Sequence, residues 1–416
     1  MCFWMRFRIG KKRKKKKKPE GESRYFDYTL LFLIIFLLGF GLVMLYSVSS
    51  YTAQSEYGDS FYYFKRQLVF EAGGFVIMIA VAMIVSRVEK LYQFMQTRIG
   101  RDILYVVAVL ACAAVLLFGT EAGGQKRWIS IGGFSIQPSE FVKVLIILFL
   151  ASYLSTHIKR LKYWRFQIVA VIFALPVVVM IMVTNLSTAI IVAGIVFLMI
   201  FVSSPKKTGW YVAILAVVVA AAAVVLLLGS GYRSDRIAAW LNPEQYADDA
   251  YQTLQGLYAI GSGGLFGKGL GASMQKLGFV PESQNDMIFS IICEELGLFG
   301  AVCVILLFVL VLWRCLVIAN NSPDRFGSLI AFGVMAHIAL QVVLNIAVVT
   351  NTIPNTGITL PFISYGGSSV VALMIEMGLV LGVSGRIRLK EMEPVRTERS
   401  RTWALQRSSA HRRQTW

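Results

Sequence analysis

Apolar positions in this chain come in blocks too long for a globular core. Ten runs, approximately 28–48, 67–86, 103–119, 139–156, 166–183, 186–204, 209–230, 287–315, 327–349 and 366–384, are long enough to span a bilayer. A helix rising about 1.5 Å per residue needs roughly 20 such residues to cross the hydrocarbon core. The pattern predicts an all-α polytopic membrane protein with ten transmembrane helices. The fifth and sixth runs nearly touch, which predicts a tight hairpin around Asn185. Residues 231–285 form the longest polar segment, expected as a large extracytoplasmic loop between helices seven and eight, with a short helix around 250–260. The organisation is a basic tail (1–24), a membrane body (25–390) and a second basic tail (391–416). The first tail leads directly into a full-length span, so no cleavable signal peptide is expected.

Composition agrees with this pattern. The 416 residues are 56% hydrophobic and only 15% charged, with a mean hydropathy of +0.65, which excludes an ordinary soluble domain. The net charge of +18 resides mostly in the tails. The run Lys11–Lys18 directly precedes a span, so it reads as a juxtamembrane segment drawn to anionic membrane lipids, with no nucleic acid partner. Lysine and arginine are biased toward the tails and the short loops on their side, which places both termini in the cytoplasm. The five cysteines form no disulfide framework, and the three histidines are scattered without metal-ligand spacing. His337 reads as a packed, hydrogen-bonded core residue. No internal repeat is visible.

Acids at membrane depth are expensive and are therefore functional candidates. Asp286 stands where the long polar loop enters a very hydrophobic helix, with Glu294 and Glu295 following. At about 100° per residue, Asp286, Ser290, Cys293, Glu294 and Gly297 share one side, and Glu295 points nearly opposite. Two readings of Asp286 are compatible. Ser283-x-x-Asp286 has capping-box spacing, and a partly buried carboxylate at a membrane surface suits a general base. Glu282 is its nearest competitor. The stretch Gly261–Gly271 is either a flexible surface loop or a mobile lid bringing Lys268 to an anionic headgroup. Around Ser364, Gly366, Gly367 and Ser368 the chain allows close helix packing, and successive N–H groups there suit a pyrophosphate oxygen. Arg233 and Arg236 suit the same anion in bidentate fashion. Glu140 and Lys143 have helix-neighbour spacing, either as a neutralising pair or lining a polar cavity. Glu71 and Glu376 are expected to face basic partners. Lys126, Arg127 and Trp128 lie together in a glycine-rich amphipathic segment, as expected at a membrane interface.

The motifs Lys126-Arg-Trp-Ile-Ser130, Gln137-Pro-Ser-Glu140 with Lys143, Gly261–Gly271, Pro281-Glu-x-x-x-Asp286-x-Ile-Phe289, Glu294-Glu-Leu-Gly297 and Leu360-Pro-Phe-Ile-Ser-Tyr-Gly-Gly-Ser368 occur in this order. Together they resemble the SEDS family (shape, elongation, division and sporulation) over roughly residues 25–390. The likeness is greater to the division and sporulation branch (FtsW or SpoVE type) than to the elongation branch (RodA type). The resemblance implies a ten-span peptidoglycan glycosyltransferase that polymerises lipid II into glycan strands. It assigns the family's essential acid to Asp286 and its loop tryptophan to Trp128. Val183-Thr-Asn-Leu-Ser-Thr188 replaces a common Gln-Pro-Asp-Leu-Gly-Thr, and Gln284-Asn285 replaces a usual His-Thr. The implied chemistry is inverting glycosyl transfer, with positive charge for the leaving pyrophosphate from Lys126, Arg127, Arg233, Arg236 and Lys268 or from a divalent ion such as magnesium or manganese. Expected partners are lipid II, the growing strand, a class B penicillin-binding transpeptidase and other division proteins. The alternative is a flippase or transporter of lipid-linked precursor, which paired broken helices near mid-membrane would favour. A third possibility is a catalytically silent scaffold.

Overall fold

The computed structural model describes residues 25–122, 125–131, 134–204, 238–248 and 250–388. Its helices are α1 (Tyr28–Tyr57), α2 (Tyr62–Arg87), α3 (Glu89–Gln96), α4 (Arg98–Phe118), α5 (Pro138–His157), α6 (Trp164–Thr184) and α7 (Leu186–Ser203). After these come α8 (Tyr251–Ser262), α9 (Ile288–Asn321), α10 (Arg325–Val349) and α11 (Gly367–Ser384). Among the described residues nine helices, all but α3 and α8, are long and apolar enough to cross a membrane. Each corresponds to one expected run. The remaining run, 209–230, lies outside the described residues. The short helix expected near 250–260 is α8.

Local chemistry explains several boundaries. Asn185 ends α6 and caps α7 by accepting the amide of Thr188 at 3.1 Å, which makes the predicted hairpin. Asp27, Thr97 and Asp324 cap α1, α4 and α10 in the same way. Pro138 occupies the first turn of α5, where its missing N–H leaves no hydrogen bond unmade. Helix α3 is too short to register as an apolar run. Its Tyr92 is buried and donates to Asp324 at 2.8 Å.

One departure from an all-helical chain appears between α4 and α5. Thr120–Ala122 (β1), Gln125–Ile131 (β2) and Phe134–Ile136 (β3) form a three-stranded antiparallel sheet in the order β1-β2-β3. The register pairs Ala122 with Gln125 and Ile131 with Phe134. The alternation Trp128-Ile-Ser-Ile carries this strand pattern, but it is short beside the flanking spans.

The centre of the body is α5, α10 and α11, whose apolar side chains are buried on most sides. Gly378 and Gly382 let α11 approach α2 closely: a Cβ at Gly378 would lie 2.6 Å from the carbonyl of Met78. The two ends of the described body meet. The amide of Tyr25 donates to the carbonyl of Ile387 at 3.0 Å, and that of Asp27 donates to Ser384 Oγ at 3.2 Å.

Helix α9 is interrupted. Gly297 has φ 68° and ψ −168°, far from helical values, so the carbonyls of Glu294 and Glu295 lose the amides of Leu298 and Phe299. The glycine-rich stretch supplies replacements on both sides of the break. Lys268 N and Gly269 N donate to Glu294 O and Glu295 O at 2.9 and 3.0 Å. Leu298 N and Phe299 N donate to Gly264 O and Leu265 O at 2.9 and 3.0 Å. Irregular backbone is tolerated at such a position when protein covers it and satisfies its polar groups. Residues Gly263–Gly269 therefore plug the break and are not a loose surface loop.

Candidate functional site

Asp286 lies in the turn immediately before α9, and Met287 takes the cap position without a side-chain bond. The expected Ser283–Asp286 box does not form: Ser283 Oγ donates to Gln284 Oε1 instead. The Asp286 side chain is 8% exposed. Gln252 of α8 donates to its Oδ1 at 3.4 Å, a long contact, and also to Pro281 O at 3.3 Å. Asn355 donates to Gln252 Oε1 at 2.9 Å and so orients that amide. The backbone is held from behind, where Asn345 of α10 donates to Asp286 O and Ile358 O at 2.8 and 2.6 Å.

This setting leaves the carboxylate underpaired. Burial pushes Asp286 from its ordinary 3.8 up to about 6, and the charge of Glu282 adds to the rise. The amides of Asp286 and Met287 and the side chain of Gln252 oppose the shift. Glu282 itself is exposed, with φ 51°, and accepts a hydrogen bond from Asn285. Near neutral pH, Asp286 is thus mostly ionised and more basic than a solvated aspartate.

The loop before α11 stands beside this turn. Tyr365 N donates to Gln284 O at 2.9 Å, joining the two segments. Ser364 Oγ accepts Leu360 N at 2.8 Å, and Gly366 N donates to Gln67 Oε1 at 3.2 Å. Gly367 opens α11, and Ser368 Oγ accepts Gln137 N at 3.2 Å, which ties the start of α11 to the start of α5. Ser364, Gly366, Gly367 and Ser368 are therefore gathered at the end of the body that carries Asp286.

Lys268 and the acids after Asp286 have partners of their own. Lys268 Nζ lies 2.7 Å from Glu294 Oε1, and Ser273 also donates to that carboxylate. Glu295 takes Lys276 at 2.9 Å and Ser47 of α1 at 2.7 Å. Lys276 and Ser47 give no signal in the sequence as partners of Glu295. Both acids bind the polar segment that plugs α9.

Deeper in the bundle, Lys143 pairs with Glu140 at 3.0 Å, and both are buried. His337 Nδ1 lies 2.8 Å from Glu376 Oε2, which gives Glu376 the basic partner expected of it. Glu71 differs from expectation. Its side chain accepts from Gln67 at 3.1 Å, a neutral amide that also holds Gly366.

Arg127 and Trp128 lie on β2, both half-buried. Arg127 Nε donates to Thr184 O at 3.3 Å, beside a small crevice lined also by Ser139 and Asn185. Lys126 pairs through its backbone with Glu121. Arg233 and Arg236 lie outside the described residues. Among the described residues no three His, Cys, Asp or Glu side chains are grouped to hold a metal. Gln252, Asn345 and Asn355 support Asp286 without having been singled out in the sequence. Asn345 carried a usable signal as an amide in an apolar helix.

Residues 28–388 match the cell cycle protein family model for FtsW, RodA and SpoVE. The chain belongs to the FtsW/RodA/SpoVE family. Among curated relatives, the chain is 39% identical to stage V sporulation protein E of Bacillus subtilis, covering 86% of this chain and 96% of the relative. Against the probable peptidoglycan glycosyltransferase FtsW of the same organism, identity is 38%, covering 88% and 92%. Among solved structures, a peptidoglycan synthase complex that couples polymerization and crosslinking contains a chain with a TM-score of 0.71 at 26% identity, covering 86% and 97%. The rod shape determining protein RodA of Thermus thermophilus gives 0.61 at 27% identity, covering 88% and 98%. Membership in the FtsW/RodA/SpoVE family agrees with the multi-pass membrane body.

Proposed function

We propose that this chain is a peptidoglycan glycosyltransferase that polymerises lipid II in the bacterial cytoplasmic membrane, with Asp286 as its general base. The observation that carries this reading is a desolvated carboxylate, raised to about 6 and weakly paired, fixed where a polar segment enters a membrane helix. Asp286 accepts the proton of the acceptor sugar's C4 hydroxyl as that oxygen bonds to the donor's anomeric carbon. The carbon–oxygen bond to pyrophosphate breaks, and its electron pair leaves with undecaprenyl pyrophosphate. Inversion converts the α-linked donor to a β-1,4 product.

The N–H groups of Gly367 and Ser368, with Arg127, Arg233 and Arg236, are our choice for the pyrophosphate. Lys126, Trp128 and Glu282 belong to the same proposed substrate surface. Lys268 is better suited to positioning Glu294 than to reaching a headgroup, because their ion pair is already made. Where a divalent ion participates, it adds positive charge at the leaving group. The Asp286 end is taken to face outward, with both tails in the cytoplasm. A class B penicillin-binding transpeptidase is the proposed lateral partner, in keeping with the synthase complex among the structural relatives.

The test is a reconstitution with that partner, labelled lipid II and a β-lactam to block crosslinking. Wild type yields long glycan strands on a gel, and Asp286→Ala yields none while remaining folded. Equal polymer from both forms removes Asp286 as base. Lipid II translocation without polymer favours the flippase.

A further inference from the structure

Helix α10 carries His337, Gln341 and Asn345 at four-residue intervals along one face of an otherwise apolar span, and these side chains are 1%, 2% and 0% exposed. Each interval is a rise of about 6 Å, so the three mark a strip about 12 Å long. It begins at the Asp286 turn, where Asn345 binds, and ends at His337, the middle residue of Arg325–Val349.

Every member of the strip uses one polar atom and leaves another unmatched. Gln341 Nε2 donates to Thr359 O at 3.0 Å, leaving Oε1 without a partner. Asn345 Nδ2 is taken by two carbonyls, leaving Oδ1. His337 Nδ1 is taken by Glu376, leaving Nε2 and Glu376 Oε1. Thr356 Oγ1, two residues before Ile358, is unmatched as well. Thus five of the eight such buried atoms among the described residues belong to this strip or flank it. Flipping either amide does not repair the count, since carbonyl acceptors fix where each nitrogen must point.

A buried polar atom without a partner has lost its water and gained nothing in return, so five together do not suit a dry core. Water removes that cost. One molecule making hydrogen bonds of about 2.8 Å on each side spans a gap of about 6 Å between acceptors. We propose that this face of α10 binds a file of water molecules from the Asp286 turn to the His337–Glu376 pair. The file connects that pair by hydrogen bonds to the Asp286 end of the bundle. The charged or titratable groups around it are Glu376 on α11, Glu140 and Lys143 on α5, and Cys315 on α9. Helix α7, also packed on α10, contributes none.

Radiolytic hydroxyl labelling of the full chain in lipid nanodiscs, read by mass spectrometry in ¹⁸O water, tests the proposal without reference to activity. Radicals generated from bound water should label His337 about tenfold faster than the comparably buried Phe308. Equal slow labelling of both overturns the file. Gln341→Met places an apolar side chain of similar length in the middle and should return His337 to the Phe308 level, with an unchanged size-exclusion profile as the folding check. Undiminished labelling in a folded Gln341→Met variant overturns the route from the Asp286 end.

Discussion

Asn345, on α10, donates its side-chain amide to the backbone carbonyl of Asp286 at 2.8 Å, so a membrane helix and not the loop fixes the height of the proposed base. Asn345→Leu leaves the carbonyls of Asp286 and Ile358 unmatched and frees the turn. A misplacement of about 1 Å costs on the order of 100-fold in rate. Polymerisation of labelled lipid II should fall by that order in kcat, with KM little changed, while the protein still inserts.

Activity should follow the ionisation of Asp286. Protonated, it cannot accept the hydroxyl proton, so the rate should rise with pH and reach half its maximum near 6. Initial rates across a pH series, with insertion checked at each point, measure this. A midpoint near the ordinary 3.8 would contradict the burial argument.

The same burial should limit stability. The folded state holds the Asp286 proton more tightly than the unfolded chain does, since about 6 exceeds 3.8. That contribution is complete below pH 3.8 and is lost as pH rises through about 6. Above that range the buried charge costs about 3 kcal/mol. Asp286→Asn should therefore be inactive yet melt higher than wild type at pH 8, with the gain shrinking toward pH 4. Thermal unfolding in detergent at both pH values checks the sign.

Much of the body was legible because spans are long, and nine runs became nine helices. Asp286 was legible because an acid beside such a run is conspicuous. The sheet was not, since a seven-residue strand such as β2 gives a weak period beside 20-residue blocks. The function of Gly261–Gly271 was also hidden. Glycine spacing signals backbone freedom but not which backbone comes close, and here that is the break at Gly297. Pairs such as Lys276 with Glu295 join distant segments and have no local signature.

Gly297→Ala should be far worse than an ordinary glycine substitution. Its φ is positive, and a Cβ would meet Leu265 C at 2.6 Å as well as the Gly267 amide, all unyielding backbone. Little folded protein is expected by size-exclusion. Gly73→Ala meets nothing within 4 Å and should behave as wild type.

Lys276→Met should destabilise the body by about 3–5 kcal/mol, because it strands the buried Glu295 charge. Adding Glu295→Gln should restore most of the loss in melting experiments. Failure of that rescue would assign the defect to packing around Lys276.

The bond between Tyr25 and Ile387 closes the described body end to end. Residues more than 350 positions apart in the sequence meet there, with Asp27 and Ser384 joined beside them. The first and last described helices, α1 and α11, are thus fastened to each other, and neither can fray at that end without breaking bonds to the other.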